Sequence, residues 1–358
     1  MIGKHILIDY QEGWTKMRKV ILSIVTGILS LVLIFSLFLS FLYMKDFDYN
    51  SKNIITNEKD VPKYHLMVIS NEMDSMSGEA FLNGLNDASH KMKVALEVNN
   101  VKKEDVDEQL DNINIAIASK VDGIILQVTD NDKIKEAINH AVDMGIPVIT
   151  VFEDVPTSRR QSYVGSNSFE IGKKAGRLVS NAINSKGDIA IILDNIQENN
   201  YLETSKNLIL SGFKDIINQY DDMEIKKVEE SKLGLLGAEE IINRIINSYP
   251  DISAIFCSSI KDTIGVAQVI VDLNKVGDIS IIGYGDSEEL LKYIDKHVIY
   301  ASIVDNPYDI GYKSIEAILD VMTNGTTSSF YDTGVNIITK DNIDEYTQER
   351  QSKEGDDI

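Results

Sequence analysis

The chain reads as an α/β protein: two doubly wound parallel-sheet lobes with a hinge, preceded by one N-terminal transmembrane helix. Three observations predict this. From Tyr64 onward, short apolar runs alternate with amphipathic helical segments. The alternation passes through two series of the same design. Ahead of them, Val20 to Met44 runs 25 positions without a charge. A length of 358 residues also exceeds what one hydrophobic core usually fills.

The apolar run comes first in the chain. At about 1.5 Å per residue it can cross a hydrocarbon core of roughly 30 Å. A signal peptide would have a shorter apolar region closed by a small-residue cleavage site, yet the first alanine is Ala80. No cysteine near its end offers a site for lipid attachment. Lys16, Arg18 and Lys19 precede the run, whereas Lys45 and Lys52 follow it among Asp46 and Asp48. That bias makes residues 1–19 a short cytoplasmic N-terminus, 20–44 the anchor and 45–63 a polar linker to a large extracytoplasmic domain.

The first series opens with a strand at His65 to Ile69, a loop from Ser70 to Gly78, and a helix carrying Phe81, Leu85 and Ala88. Val94 to Val98 is the second strand, and Val106, Leu110, Ile113 and Ile117 mark the next helix. Val121 to Asp154 is a complete strand–helix–strand unit. Its first strand, Val121 to Gln127, is a β-branched run of the kind buried on both faces. Asp130, Asn131 and Asp132 offer helix caps, Ile134, Ala137, Ile138, Ala141 and Val142 recur at helical spacing, and Gly145 stops the helix before the strand Pro147 to Phe152. A crossover of this length joins parallel strands. Phe152, Glu153 and Asp154 therefore stand at a strand's carboxyl end, the edge where open parallel sheets bind ligands. Tyr163 to Gly165 closes the series.

Ser168 can cap the helix that starts the second series (Ile171, Ala175, Leu178, Val179, Ala182). Its strands are Ile189 to Leu193, Glu224 to Val228, Ala254 to Cys257, Ser280 to Gly283 and Tyr300 to Val304. The helices between carry Leu208, Phe213 and Ile217, then Ile241, Ile242 and Ile245, then Ile264, Ala267 and Val271. After Pro307 come one more helix (Ile310, Ile315, Ile318, Val321), a last apolar run from Val335 to Thr339, and a polar tail over 348–358 that reads as frayed.

Composition removes several function classes. A net charge of -21 with no stripe of Lys and Arg argues against nucleic acid. The single cysteine, Cys257, lies inside an apolar run and reads as a buried strand residue without a disulfide partner. The five histidines lack ligand spacing, so no metal or cofactor is expected. Gly283-Tyr284-Gly285 has Glu288 where a dinucleotide loop needs its third glycine, and Asp130 to Asp132 opens a calcium-like loop whose sixth position is Lys135. Arg159 and Arg160 read as a solvated turn. With no nucleophile elbow and no paired Cys and His, an enzyme is not expected.

VDGIILQVTD with GIPVITVFED, YVGSNSFEIGKKAGRLV, PDISAIFCSS, DISIIGYGDSEE, ASIVDNPYDIGYKSIEAI and YDTGVNIITKDNIDEY follow in order. In that order and spacing they resemble the type I periplasmic binding proteins of the ribose- and galactose-binding branch, over roughly Tyr64 to Tyr346. The resemblance implies an N-terminal lobe of residues 64–166 plus 306–333 and a C-terminal lobe of 167–305 plus 334–347, joined by three crossovers and closing on a ligand by hinge motion. It implies ligand contacts from Asn71, Ser75 and Ser77 on the first loop, where sugar-binding relatives carry aromatics. Phe152 and Glu153 stand where relatives have Asp and Arg, with Asp154 beside them. Asn207 takes the place of an arginine, Ser259 that of an asparagine, and Asp286 and Asp305 complete the set. These acids make a cleft rich in acceptors and poor in cationic donors, suited to a sugar, a polyol or an amine-bearing sugar. The implied partner is the permease of an ABC importer. The alternative is a sensory module signalling to a membrane histidine kinase or chemoreceptor. A transcriptional regulator would need a DNA-binding unit where the apolar run lies.

Overall fold

In the computed structural model, β-branched runs become parallel strands and the amphipathic segments pack on them as helices. The structure describes residues 61–71, 76–102, 105–128, 132–194 and 200–354, with Leu33, Phe35 and Ser36. The chain divides into two units, Met1–Val61 and Pro62–Ile358, and the strands described all lie in the second. Apart from those three residues, the run expected to cross a membrane lies outside the described residues, as do Ser75, Asp130 and Asn131. Among the described residues no helix is long and apolar enough to cross a membrane.

The order is β1 (Tyr64–Asn71), α1 (Met76–Met92), β2 (Val94–Val101), α2 (Val106–Ser119), β3 (Gly123–Gln127), α3 (Asp132–Asp143), β4 (Val148–Val151) and β5 (Ser162–Gly165). Then come α4 (Ser168–Ala182), β6 (Gly187–Asp194), α5 (Asn200–Ile217), β7 (Met223–Ser231), α6 (Gly234–Ser248), β8 (Ile252–Cys257), α7 (Ile260–Asp272), β9 (Ser280–Tyr284), α8 (Glu288–Asp295) and β10 (Ala301–Asp305). The last elements are α9 (Pro307–Asn324), β11 (Phe330–Asp332), β12 (Val335–Thr339) and α10 (Ile343–Glu354).

Two sheets result, ordered β11-β5-β4-β3-β1-β2 and β12-β10-β9-β8-β6-β7. Every strand pairing is parallel except β10 with β12. In each sheet the order reverses beside the first strand of its series, the switch point at whose carboxyl side a crevice opens. Strand residues alternate between two cores. Met67 and Ile69 join α2 and α3 on one face, and Leu66 and Val68 join α1 and α9 on the other. In the second sheet Ala190 and Ile192 face α6, α7 and α8, and Ile189, Ile191 and Leu193 face α4 and α5.

Three details depart from the sequence reading. β11 is only three residues long and has no apolar run to announce it; its register on β5 brings Phe330 onto Tyr163, ring centroids 5.4 Å apart. Helix α10 continues to Glu354 through the stretch read as a polar tail. Leu208 and Val271, expected on buried helix faces, are 43% exposed, while Ile209 and Ile270 are buried. Successive helix residues point about 100° apart, so a one-residue error in phase turns the assigned face by that much and moves a residue at its edge from core to solvent.

Both lobes solve one packing problem with paired glycines. Gly84 on α1 lies against the Tyr308 carbonyl of α9, and Gly311 on α9 against the Phe81 carbonyl of α1. In the second lobe Gly172 on α4 meets the Ile209 carbonyl of α5, and Gly212 on α5 meets the Phe169 carbonyl of α4. A Cβ at any of the four would overlap a backbone oxygen. Alanine for glycine inside a helix ordinarily stabilises by about 0.5–1 kcal/mol. Gly84→Ala and Gly172→Ala should instead each cost about 1–3 kcal/mol by forcing the helices apart, read as a lowered urea midpoint with unchanged slope.

Candidate functional site

Chain reaches the facing carboxyl ends of the two sheets from β4, β5, β6, β8, β9 and β10, and a cavity of about 220 Å3 lies between them. The first lobe contributes Phe152, Glu153, Tyr163 and Ser166. The second contributes Asp194, Lys206, Ser258, Tyr284 and Asp305, with Ser168, Ile171, Ser205 and Ile209 completing the wall.

Phe152 follows β4 at φ 62°, a left-handed conformation that a bulky side chain adopts at a cost of about 1–3 kcal/mol. Its carbonyl accepts from the Tyr163 hydroxyl at 2.9 Å, and its ring meets Phe81 edge-on at 5.1 Å. The strained turn brings Glu153 to the cavity wall.

Asp154, one residue on, is engaged elsewhere. Both of its carboxylate oxygens accept from the Arg160 guanidinium, and Oδ1 also accepts from the Thr150 hydroxyl at 2.8 Å. The pair is enclosed, with side chains 6% and 13% exposed. Arg160 also donates to the Ser329 carbonyl at 2.9 Å, so this arginine, read as part of a solvated turn, is an enclosed brace between β4 and the approach to β11. Arg159 alone is solvated, beside Asp143.

On α5 the helix phase decides which residue reaches the site. Asn207 is exposed and donates to Glu203 at 3.2 Å. Lys206, on the stripe of Ile209 and Phe213, lines the cavity, its side chain 6% exposed and its ammonium 3.0 Å from Glu203 and 3.2 Å from Glu230. The wall thus includes one lysine that the sequence reading does not name, in a cleft it expects to be poor in cationic donors.

Asp305 ends β10 where the chain leaves the second sheet. Its Oδ2 accepts from the Tyr284 hydroxyl at 2.6 Å and its Oδ1 lies against the Ser166 hydroxyl, which is 2.9 Å from the Gly334 carbonyl. Burial pushes this carboxyl up, with the Ser166 and Tyr284 donors pulling it down and Asp286 adding to the rise.

Of the remaining expected contacts, Asn71 is buried behind the crevice, bonded to Gln109 and Gln127. Ser259 caps α7 through Asp262. Ser77 and Asp286 bond to each other at 3.1 Å, outside the cavity wall. The structure thus brings Phe152, Glu153 and Asp305 into one cavity with Tyr163, Ser166, Asp194, Lys206, Ser258 and Tyr284, none of which the sequence expectation includes. Asp194 and Tyr284 are recognisable from their places at strand carboxyl ends; Lys206 needs the helix phase.

A family model described as periplasmic binding protein domain matches residues 68–326. Among curated proteins the chain is 21% identical over 220 residues to the ribose import binding protein RbsB of Bacillus subtilis (strain 168), covering 62% of this chain and 69% of that one. Among solved structures it is similar to GanP, a glucose-galactose binding protein from Geobacillus stearothermophilus, with 30% identity, a TM-score of 0.68, and coverage of 78% of this chain and 98% of that one. It is also similar to a chain of the XylFII–LytSN complex, with 28% identity, a TM-score of 0.63, and coverage of 78% and 98%.

Beside the cavity, Asp262 is fully buried and its Oδ1 has no hydrogen-bond partner among the described residues. Burial pushes its carboxyl up to about 6, outweighing the Ser259 hydroxyl that pulls it down. A folded value above the unfolded one means that the native state holds the proton more tightly. The stability it contributes is full below the ordinary value of 3.8 and is lost as pH rises through about 6. Asp262→Asn should raise Tm at pH 8, by the equivalent of roughly 3 kcal/mol, and the difference should vanish toward pH 4. Equal melting of the two proteins at pH 8 would show that the buried carboxylate carries no such cost.

Proposed function

The chain belongs to the periplasmic binding protein domain family, and from that membership we propose an extracytoplasmic solute-binding protein that captures a small polar, carbohydrate-like ligand for an ABC importer. Anchorage through the apolar run 20–44 is part of the proposal, resting on the sequence alone. The observation that carries the reading is the cavity itself. It lies where two doubly wound sheets face each other, and its wall combines aromatic rings with hydrogen-bonding groups of both kinds.

Its size is below the roughly 300 Å3 at which drug-sized pockets begin, which fits a ligand of monosaccharide scale. Phe152, Tyr163 and Tyr284 present ring surface on which the apolar face of a sugar ring can lie. Glu153 and Asp194 offer carboxylate oxygens, and vicinal hydroxyls can donate to such a pair in bidentate fashion. Lys206 offers the donor that a ring oxygen or hydroxyl accepts. The relatives' names, glucose-galactose binding and ribose import, support a sugar, and the acidic side of the wall also suits a polyol or an amine-bearing sugar.

Binding would favour the closed arrangement of the lobes, and a membrane partner would recognise that form. The second reading differs only in the receiver. The match to XylFII, a protein solved in complex with LytSN, supports a sensory module that presents its closed form to a signalling partner such as a membrane histidine kinase or a chemoreceptor.

Thermal melting of the full chain against D-galactose, D-glucose, D-ribose, D-glucosamine and myo-inositol tests the binding reading. A ligand at 100 times its dissociation constant adds about 2.7 kcal/mol and raises Tm by several degrees. Glu153→Gln and Lys206→Met should each weaken the responding ligand about tenfold or more, through a lost charged hydrogen bond. Melting indifferent to every compound at 10 mM or so would refute a binding site for small hydroxylated ligands.

A further inference from the structure

Building on that binding reading, we infer that Asp286 is a positioning residue that governs closure of the lobes rather than a ligand contact, and that α10 takes part in closure through Tyr346. Asp286 follows β9 in the second lobe and is 5% exposed. Its Oδ1 accepts from the Ser77 hydroxyl at 3.1 Å, and Ser77 sits in the first turn of α1 in the other lobe. Its Oδ2 accepts from the Tyr346 hydroxyl at 2.6 Å. One carboxylate therefore links the first lobe, the second lobe and the final helix.

The two bonds differ in what breaks them. Tyr346 packs against the same core as α8 and Ile343, so it moves with the second lobe. Gly285, at φ +97° with the Ile260 side chain close against it, fixes the turn that carries Asp286. Tyr346 thus holds the carboxylate in place whether the lobes are open or shut. Ser77 is on the far side of the opening, and its bond exists only when the lobes meet. Asp286 and Tyr346 form the prepared half of a latch, with Ser77 as the striker.

A latch has a signature that a ligand contact lacks. Where the closed form is the minor one, apparent affinity scales with its population, so a weakened latch lowers affinity for every ligand by one common factor. A residue touching the ligand would affect some ligands far more than others.

Labels at Asn86→Cys and Lys261→Cys, both exposed and on opposite lobes, report the interlobe distance in the full chain. Cys257 is buried, and burial pushes its thiol well up, so it does not compete for label. Without ligand, Ser77→Ala, Tyr346→Phe and Asp286→Ala should each lower the short-distance population about threefold to tenfold, with Asp286→Asn falling between Asp286→Ala and wild type. The same variants should weaken D-galactose and D-ribose by equal factors. Distance distributions unchanged in Ser77→Ala and Tyr346→Phe overturn the latch, as does a loss of affinity confined to Asp286→Ala. The distance measurement needs no sugar, so a chain that binds none of the compounds tested refutes the ligand reading while the latch is still decided.

Discussion

The chain passes between the two sheets at Ser166, after Asp305 and again near Gly334, and one hydroxyl–carboxyl contact gathers these passages. Thr333 adds a backbone bond to the Gly165 carbonyl at 3.1 Å. Ser166 has a single hydrogen, yet both the Asp305 carboxyl and the Gly334 carbonyl lie within its reach. The Ser166 hydroxyl donates toward both acceptors, so one short contact gathers the Asp305 carboxyl and the Gly334 carbonyl at the crossovers. Burial pushes the Asp305 carboxyl up, and the two hydroxyl donors pull it down. The crossovers are thereby pinned by hydrogen bonds from Ser166 and Tyr284, which satisfy a carboxyl that burial would otherwise leave without partners. Because Ser166, Tyr284 and Asp305 also form cavity wall, the crossovers and the site share residues.

The hinge closure proposed above requires each lobe to turn as a body. The reciprocal glycines supply that rigidity, letting α1 approach α9, and α4 approach α5, until each backbone touches the other. Interiors packed to this closeness transmit displacement instead of absorbing it. Helix α9 follows the second crossover yet packs in the first lobe, so its grip on α1 also ties the returning chain to the lobe it rejoins.

The parallel sheets are legible in the sequence because strands buried on both faces are nearly pure Ile and Val, a pattern that few other structures need. Lys206 is not, because residues 203–209 offer two helical phases differing by one step, and only the tertiary core selects the one that buries Ile209. The other phase puts Asn207 at the site and Leu208 in the core. Asp154 shows a second limit. A carboxylate at a strand's carboxyl end is equally suited to a ligand or to an arginine six residues away, and pairing depends on how the intervening loop folds back. β11 marks a third, since Phe330 to Asp332 acquires strand geometry from β5 and not from its own residues.

Asp286 and Asp305 both look like ligand acceptors in the sequence, and both have their carboxyl oxygens facing protein donors: Ser77 and Tyr346 for one, Ser166 and Tyr284 for the other. One stands at the pivot and the other where the lobes meet, so neither needs a ligand to be satisfied in the closed arrangement. Part of the free energy of closure is then a property of the protein. A ligand shifts such an equilibrium only by its differential affinity for the two states. Glu153, on a strained turn of the first lobe, and Asp194, on a strand end of the second, are the acids that line the cavity besides Asp305. They stand on opposite lobes, so a small molecule that bonds to both does so only across a closed cleft. On the proposed reading, the acids that hold the closed geometry and the acids that meet the ligand are distinct residues. A pocket divided in this way can change its ligand by substitution at Glu153, Asp194 or Lys206 while the hinge and the interlobe contact stay intact.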